Sequence, residues 1–141
     1  MNRTYRALRV LGAISLPILV LTGCGGEDAD AAGKPGEPTA AALREKATEL
    51  NAALASHDYA AAYQFRSARC KLTLNQDDYV ASMAQLYDGR DLKTKPSEVS
   101  VTTSGTTGSV TVKNFDARAA EDDAKPETWT FIDGQWRFDN C

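Results

Sequence analysis

Apolar residues change their spacing twice along this chain. From Val10 to Leu21 they form a run of about a dozen residues, interrupted by Pro17. Spanning a bilayer as a helix takes roughly 20, so the run is too short for a permanent transmembrane segment. From Leu43 the spacing becomes helical. Leu43, Ala47, Leu50 and Leu54 recur at intervals of four, three and four and make one stripe, with Thr39 placed to cap the first turn. Ser56-His57-Asp58 breaks that stripe. Asp58 then caps a short second helix through Tyr59, Tyr63 and Phe65. Asn75 caps a third, whose face is Tyr79, Val80, Met83, Leu86 and Tyr87. Asp77 and Asp78 favour its positive N-terminal end, and Asp88-Gly89 closes it.

After Pro96 the period becomes two. Val99, Val101 and Thr103 alternate with polar residues, Ser104 to Gly108 reads as the turn, and Val110 and Val112 resume the alternation. The stretch from Asp116 to Pro126 is polar and reads as a loop. Asp133-Gly134 then sits between Thr128-Trp129-Thr130-Phe131-Ile132 and Gln135-Trp136-Arg137-Phe138, a strong signal for a two-residue type I′ hairpin. That turn sets the register: Ile132 opposite Gln135, Phe131 opposite Trp136, Thr130 opposite Arg137, and Trp129 opposite Phe138. The four aromatics then share one face of the sheet. Helices followed by antiparallel strands predict an α+β domain over residues 39–141.

The N-terminal segment changes the picture. Arg3, Arg6 and Arg9 precede the apolar run, with no acid before Leu21, as in the charged and hydrophobic regions of an export signal. Leu21-Thr22-Gly23-Cys24 resembles the bacterial lipobox. There small residues fit the signal peptidase and the cysteine thiol accepts a diacylglyceryl group. The resemblance implies a signal peptide at 1–23, lipidation of Cys24, and attachment at the extracytoplasmic face of the cell membrane through two or more acyl chains. Residues 24–38, rich in Gly, Pro and charge, read as the lipidated cysteine and a flexible tether of roughly 20 Å.

Removing residues 1–23 takes 16 basic residues to 13 against 19 acids, a side-chain balance of −6. With no basic cluster, the mature chain is a poor nucleic-acid ligand, and the lipid is left as its membrane contact. Cys70 and Cys141 remain as an even pair in an oxidising compartment. They read as a disulfide closing a loop of about 70 residues, with two free thiols as the alternative. Two cysteines and the single histidine at this spacing match no zinc pattern. Strand parity puts Cys141 on the polar face of the last strand with Arg137 and Asp139, so the bond requires that strand to end or twist after Phe138.

Ala55 to Tyr63, Leu74 to Tyr79 and, above all, Trp129 to Phe138 resemble phrases of the NTF2-like (cystatin-like cone) superfamily. Small secreted actinobacterial lipoproteins of that type end in a similar Trp and terminal Cys. The resemblance covers residues 39–141 and implies a curved sheet wrapped on helices around a conical pocket. Some members, such as ketosteroid isomerases and polyketide cyclases, are enzymes with an Asp or His base in the pocket. Many others only bind a ligand or a protein, so the resemblance implies a pocket and not a reaction.

The chemistry in the sequence is thin. His57 beside Asp58 offers a base and an orienter, but Asp58 already has a capping role. Asp77, Asp78 and Asp88 belong to helix ends. Asp116 with Glu121-Asp122-Asp123 lacks the glycine turn and ligand spacing of a calcium loop and reads as solvated. No catalytic residue, metal or cofactor is expected. The leading expectation is a non-catalytic binding or interaction module that takes a small apolar ligand or an envelope protein. Tyr63, Tyr79, Tyr87, Trp129 and Trp136 are the candidate pocket lining, facing helices rich in alanine. The alternatives are a pocket enzyme of the isomerase or cyclase type, or a structural accessory of an envelope complex. A buried, unpaired acid in the pocket would favour the enzyme.

Overall fold

The computed structural model describes residues 36–119 and 124–141, so the predicted signal peptide, Cys24 and nearly all of the tether lie outside the described residues, as do Glu121, Asp122 and Asp123. Thr39 caps the first helix as predicted, accepting from the Ala42 N–H at 3.2 Å. Helix α1 runs Ala40–Ala55 and buries Leu43 and Ala47. His57 turns the chain in the left-handed region at φ 60°, and Asp58 caps α2, Tyr59–Gln64, through the Ala61 N–H at 2.9 Å. Asn75 caps α4, Gln76–Leu86, through the Asp78 N–H. That helix stops before Asp88-Gly89, with Tyr87 as its C-cap.

Between α2 and α4 lies an element that apolar spacing did not announce. Helix α3, Ala68–Thr73, is capped by Ser67 and has only Cys70 buried, while its Leu72 is 89% exposed. A helix of one and a half turns is marginal by itself. This one is held by its cap and by the bond from Cys70 to Cys141, whose Cα atoms are 5.5 Å apart.

The sheet is an antiparallel meander: β1 Glu98–Ser104, β2 Thr107–Lys113, β3 Glu127–Ile132 and β4 Gln135–Phe138, in that order. The β3–β4 register is the one Asp133-Gly134 predicts, from Ile132↔Gln135 to Trp129↔Phe138, and both turn residues have positive φ, 51° and 75°. The β1–β2 turn is tighter than expected. Ser104 pairs with Thr107, which leaves Gly105-Thr106 as the turn and places Gly108 inside β2 opposite Thr103 and Trp129. The strand β4 ends at Phe138, which frees the chain to bring Cys141 to Cys70. Its outer edge is covered by Phe65–Ser67: the Ser67 N–H donates to the Phe138 carbonyl at 2.8 Å, and the Phe138 N–H donates to the Phe65 carbonyl at 2.9 Å.

Two apolar clusters result. One joins Leu43 and Ala47 of α1 to Val110, Trp129 and Trp136 of the sheet, with Phe131 and Phe138 at its margin. The other joins Tyr59, Ala62 and Tyr63 of α2 to Tyr79 of α4, and Leu50 of α1 touches both clusters. The expected wall of alanines is only partial. Ala47 and Ala62 are buried, whereas Ala60, Ala81 and Ala84 face solvent, because α2 and α4 each present their tyrosine side inward. The 116–126 loop also departs from expectation at its start. Asp116 is not solvated; it holds Arg90 through two N–H···O bonds of 2.8 and 3.1 Å, with side chains only 2% and 6% exposed.

Candidate functional site

Between the two clusters lies a cavity of about 430 Å³, within the usual range for small-molecule sites. Its apolar lining comes from Leu50 and Leu54 of α1, Met83 and Leu86 of α4, and Val110 and Val112 of β2. Leu86 is also 55% exposed, so the cavity reaches the surface at that edge.

Of the five aromatics expected to line it, Tyr79, Tyr87 and Trp129 do. Tyr63 and Trp136 do not, and each is committed elsewhere. Tyr63 stacks behind Tyr79 at 5.4 Å between ring centres and donates its hydroxyl to the Leu74 carbonyl at 3.0 Å. Trp136 lies further along the same sheet face, under α1. Its indole N–H donates to the Thr39 carbonyl at 3.2 Å.

The polar part of the wall was missed at the level of sequence. Arg66 enters the lining from the segment that covers the β4 edge. Its guanidinium carbon lies 5.2 Å from the ring centre of Tyr79 and 5.7 Å from that of Phe138. Its Nε is buried and has no hydrogen-bond partner among the described residues. Trp129 is 1% exposed, and its indole Nε1–H is likewise without an acceptor there. Buried donors are ordinarily paired, and each unpaired one costs of order 1–3 kcal/mol.

Glu127 completes the wall. It stands two residues before Trp129 on β3, hence on the same sheet face. The parity of the Asp133-Gly134 hairpin, carried two positions further back, was the signal that could have found it. Burial pushes its carboxyl above the ordinary glutamate value. Tyr79 feels both charges: burial raises its phenol, Arg66 draws it down, and Glu127 pushes it up again. Arg90, bound to Asp116, and Lys125 also border the cavity.

The other candidate chemistry is accounted for structurally. His57 meets the Tyr59 hydroxyl through Nδ1 at 2.7 Å, and Asp58 is occupied as a cap. Cys70, Asp139 and Cys141 bring ligand-type atoms within 4.8 Å of one another, but both sulfurs are joined in the disulfide and offer no thiolate. Asp139 instead accepts from the hydroxyls of Ser67 and Thr130 and from Arg69. Burial works against its ionisation, yet these bonds hold its carboxyl below the usual aspartate value. Among the described residues no helix is long and apolar enough to cross a membrane.

No protein family, curated protein or solved structure matches this chain.

Proposed function

We propose that this chain is a lipid-anchored extracytoplasmic protein whose α+β domain, an NTF2-like cone, binds a small amphipathic molecule without transforming it. The observation that carries the reading is the cavity between α1, α4 and the sheet, bordered by two residues, Arg66 and Trp129, with buried N–H groups that lack protein acceptors. The leucines, valines and tyrosines of the wall suit an apolar body, and the unpaired donors, with Asn51, Asn114 and Asn140, suit a polar end. Anchoring rests on Leu21 to Cys24. Its test is Cys24→Ser, which should abolish lipid labelling and release the protein from the membrane fraction; a variant still acylated and retained would contradict the anchor. Binding is tested by saturable, one-to-one quenching of tryptophan emission when an apolar probe of cavity size is titrated into the full chain carrying Cys24→Ser.

Glu127 favours a second reading, a pocket enzyme that moves a proton, because it is an acid in the cavity wall with no hydrogen bond or ion pair among the described residues. Glu127-dependent exchange of solvent deuterium into the α-carbon of a bound ketone would support that reading over simple binding.

A further inference from the structure

One cationic side chain of the cavity wall points to a class of ligand. Arg66, Arg90, Lys125 and Glu127 are the charged residues that border the cavity. Arg90 is matched by Asp116. Arg66 is different: among the described residues its guanidinium makes no hydrogen bond or ion pair and is flanked only by the rings of Tyr79 and Phe138. Aromatic faces stabilise a guanidinium but accept none of its in-plane N–H bonds. Those in-plane donors suit a planar oxygen acid, which a guanidinium takes up through parallel bonds. Trp129, whose buried indole N–H also lacks an acceptor among the described residues, belongs to the same wall.

We propose that the cavity takes a medium-chain amphiphile with a carboxylate head, the head on Arg66 and the Trp129 indole N–H and the chain along Leu50, Leu54, Met83 and Val110. The proposal rests on the binding reading above and names the ligand class of that same site. Size agrees. At ~30 Å³ per non-hydrogen atom of a condensed liquid, 430 Å³ admits about fourteen such atoms, room for a chain of about ten carbons with its head. Glu127 opposes an anion to the extent that it is ionised; burial raises its carboxyl above the ordinary glutamate value, so it takes up its proton at a higher pH than an exposed acid does. A cationic head would meet Arg66 directly.

The experiment is calorimetric titration of the full chain carrying Cys24→Ser with decanoate, decan-1-ol and decyltrimethylammonium, all below their aggregation limits. The expected result is saturable binding of decanoate at least about tenfold tighter than decan-1-ol, the factor of one charge-assisted hydrogen bond, and no binding of the cationic probe. Arg66→Met keeps most of the stem length and should remove the preference, bringing decanoate down to about the affinity of decan-1-ol. Trp129→Phe removes only the N–H end of that ring and should weaken decanoate several-fold, so the head-group assignment does not depend on one variant folding. Equal binding of decanoate and decan-1-ol, or decanoate affinity indifferent to both variants, would overturn the carboxylate assignment and leave the pocket standing. Failure of all three probes to bind would overturn the pocket reading as well.

Discussion

A β-carbon on Gly108 would lie 2.4 Å from Leu43 Cδ2 and 3.1 Å from the Trp136 ring. Here α1 packs closely on the sheet, and β2 has a glycine in its interior because nothing larger fits between the strand and these side chains. Both obstructing side chains are essentially fully buried and have nowhere to retreat. Gly108→Ala should therefore destabilise the fold by roughly 1–3 kcal/mol. That is a fall in melting temperature of about 5–15 °C, read by circular dichroism. An unchanged melting curve would mean that α1 sits farther from β2 than described.

Arg90 and Asp116 tie the end of α4 to the chain leaving β2. The Arg90 N–H bonds hold the Asp116 carboxyl below its ordinary value of 3.8 even though burial pushes the other way. The native state therefore favours the ionised form, and the stability this provides is complete above 3.8. It is lost as pH falls below that value through the lowered native one. Asp116→Asn should cost roughly 2–3 kcal/mol at pH 7 and flatten the acid limb of the stability profile. Parallel acid limbs in the two proteins would contradict the pairing.

Glu127 has the opposite sign. Its carboxyl is raised above 4.5 by burial, so the native state binds its proton more tightly than the unfolded chain does. The contribution to stability is full below 4.5 and is lost as pH rises through the raised native value. Glu127→Gln should accordingly melt higher than the parent at pH 7, with the gap closing towards pH 4. A glutamine variant less stable than the parent at neutral pH would show that Glu127 has a partner stabilising its charge.

Much of this fold is legible locally. Thr39, Asp58 and Asn75 are caps because their side chains compete for the first free N–H groups of a helix, and each does so here. Asp133-Gly134 accepts positive φ at both positions, which fixes every pair of the last hairpin. The site is harder to read. Glu127 was within reach, since strand parity puts it beside Trp129, but an acid directly after Lys125-Pro126 reads as part of a loop. Arg66 was out of reach. It lines the cavity only because Phe65–Ser67 pairs with Phe138, more than 70 positions away, and α3 with its disulfide sustains that pairing. Local spacing carries no trace of such a contact. The same spacing counted Tyr63 and Trp136 with the lining because it records a face, and not which part of that face another element covers.

The two tryptophans allow the binding claim to be tested at a single atom. Both indole N–H groups are on one sheet face, but that of Trp136 is bonded to the Thr39 carbonyl while that of Trp129, at the cavity, has no acceptor. In a ¹⁵N–¹H correlation spectrum of the full chain carrying Cys24→Ser, titration with decanoate should move one indole cross-peak saturably downfield, the one missing in Trp129→Phe. The other should stay in place. If neither peak moves, or both drift together without saturating, the cavity does not hold the ligand and the binding account fails.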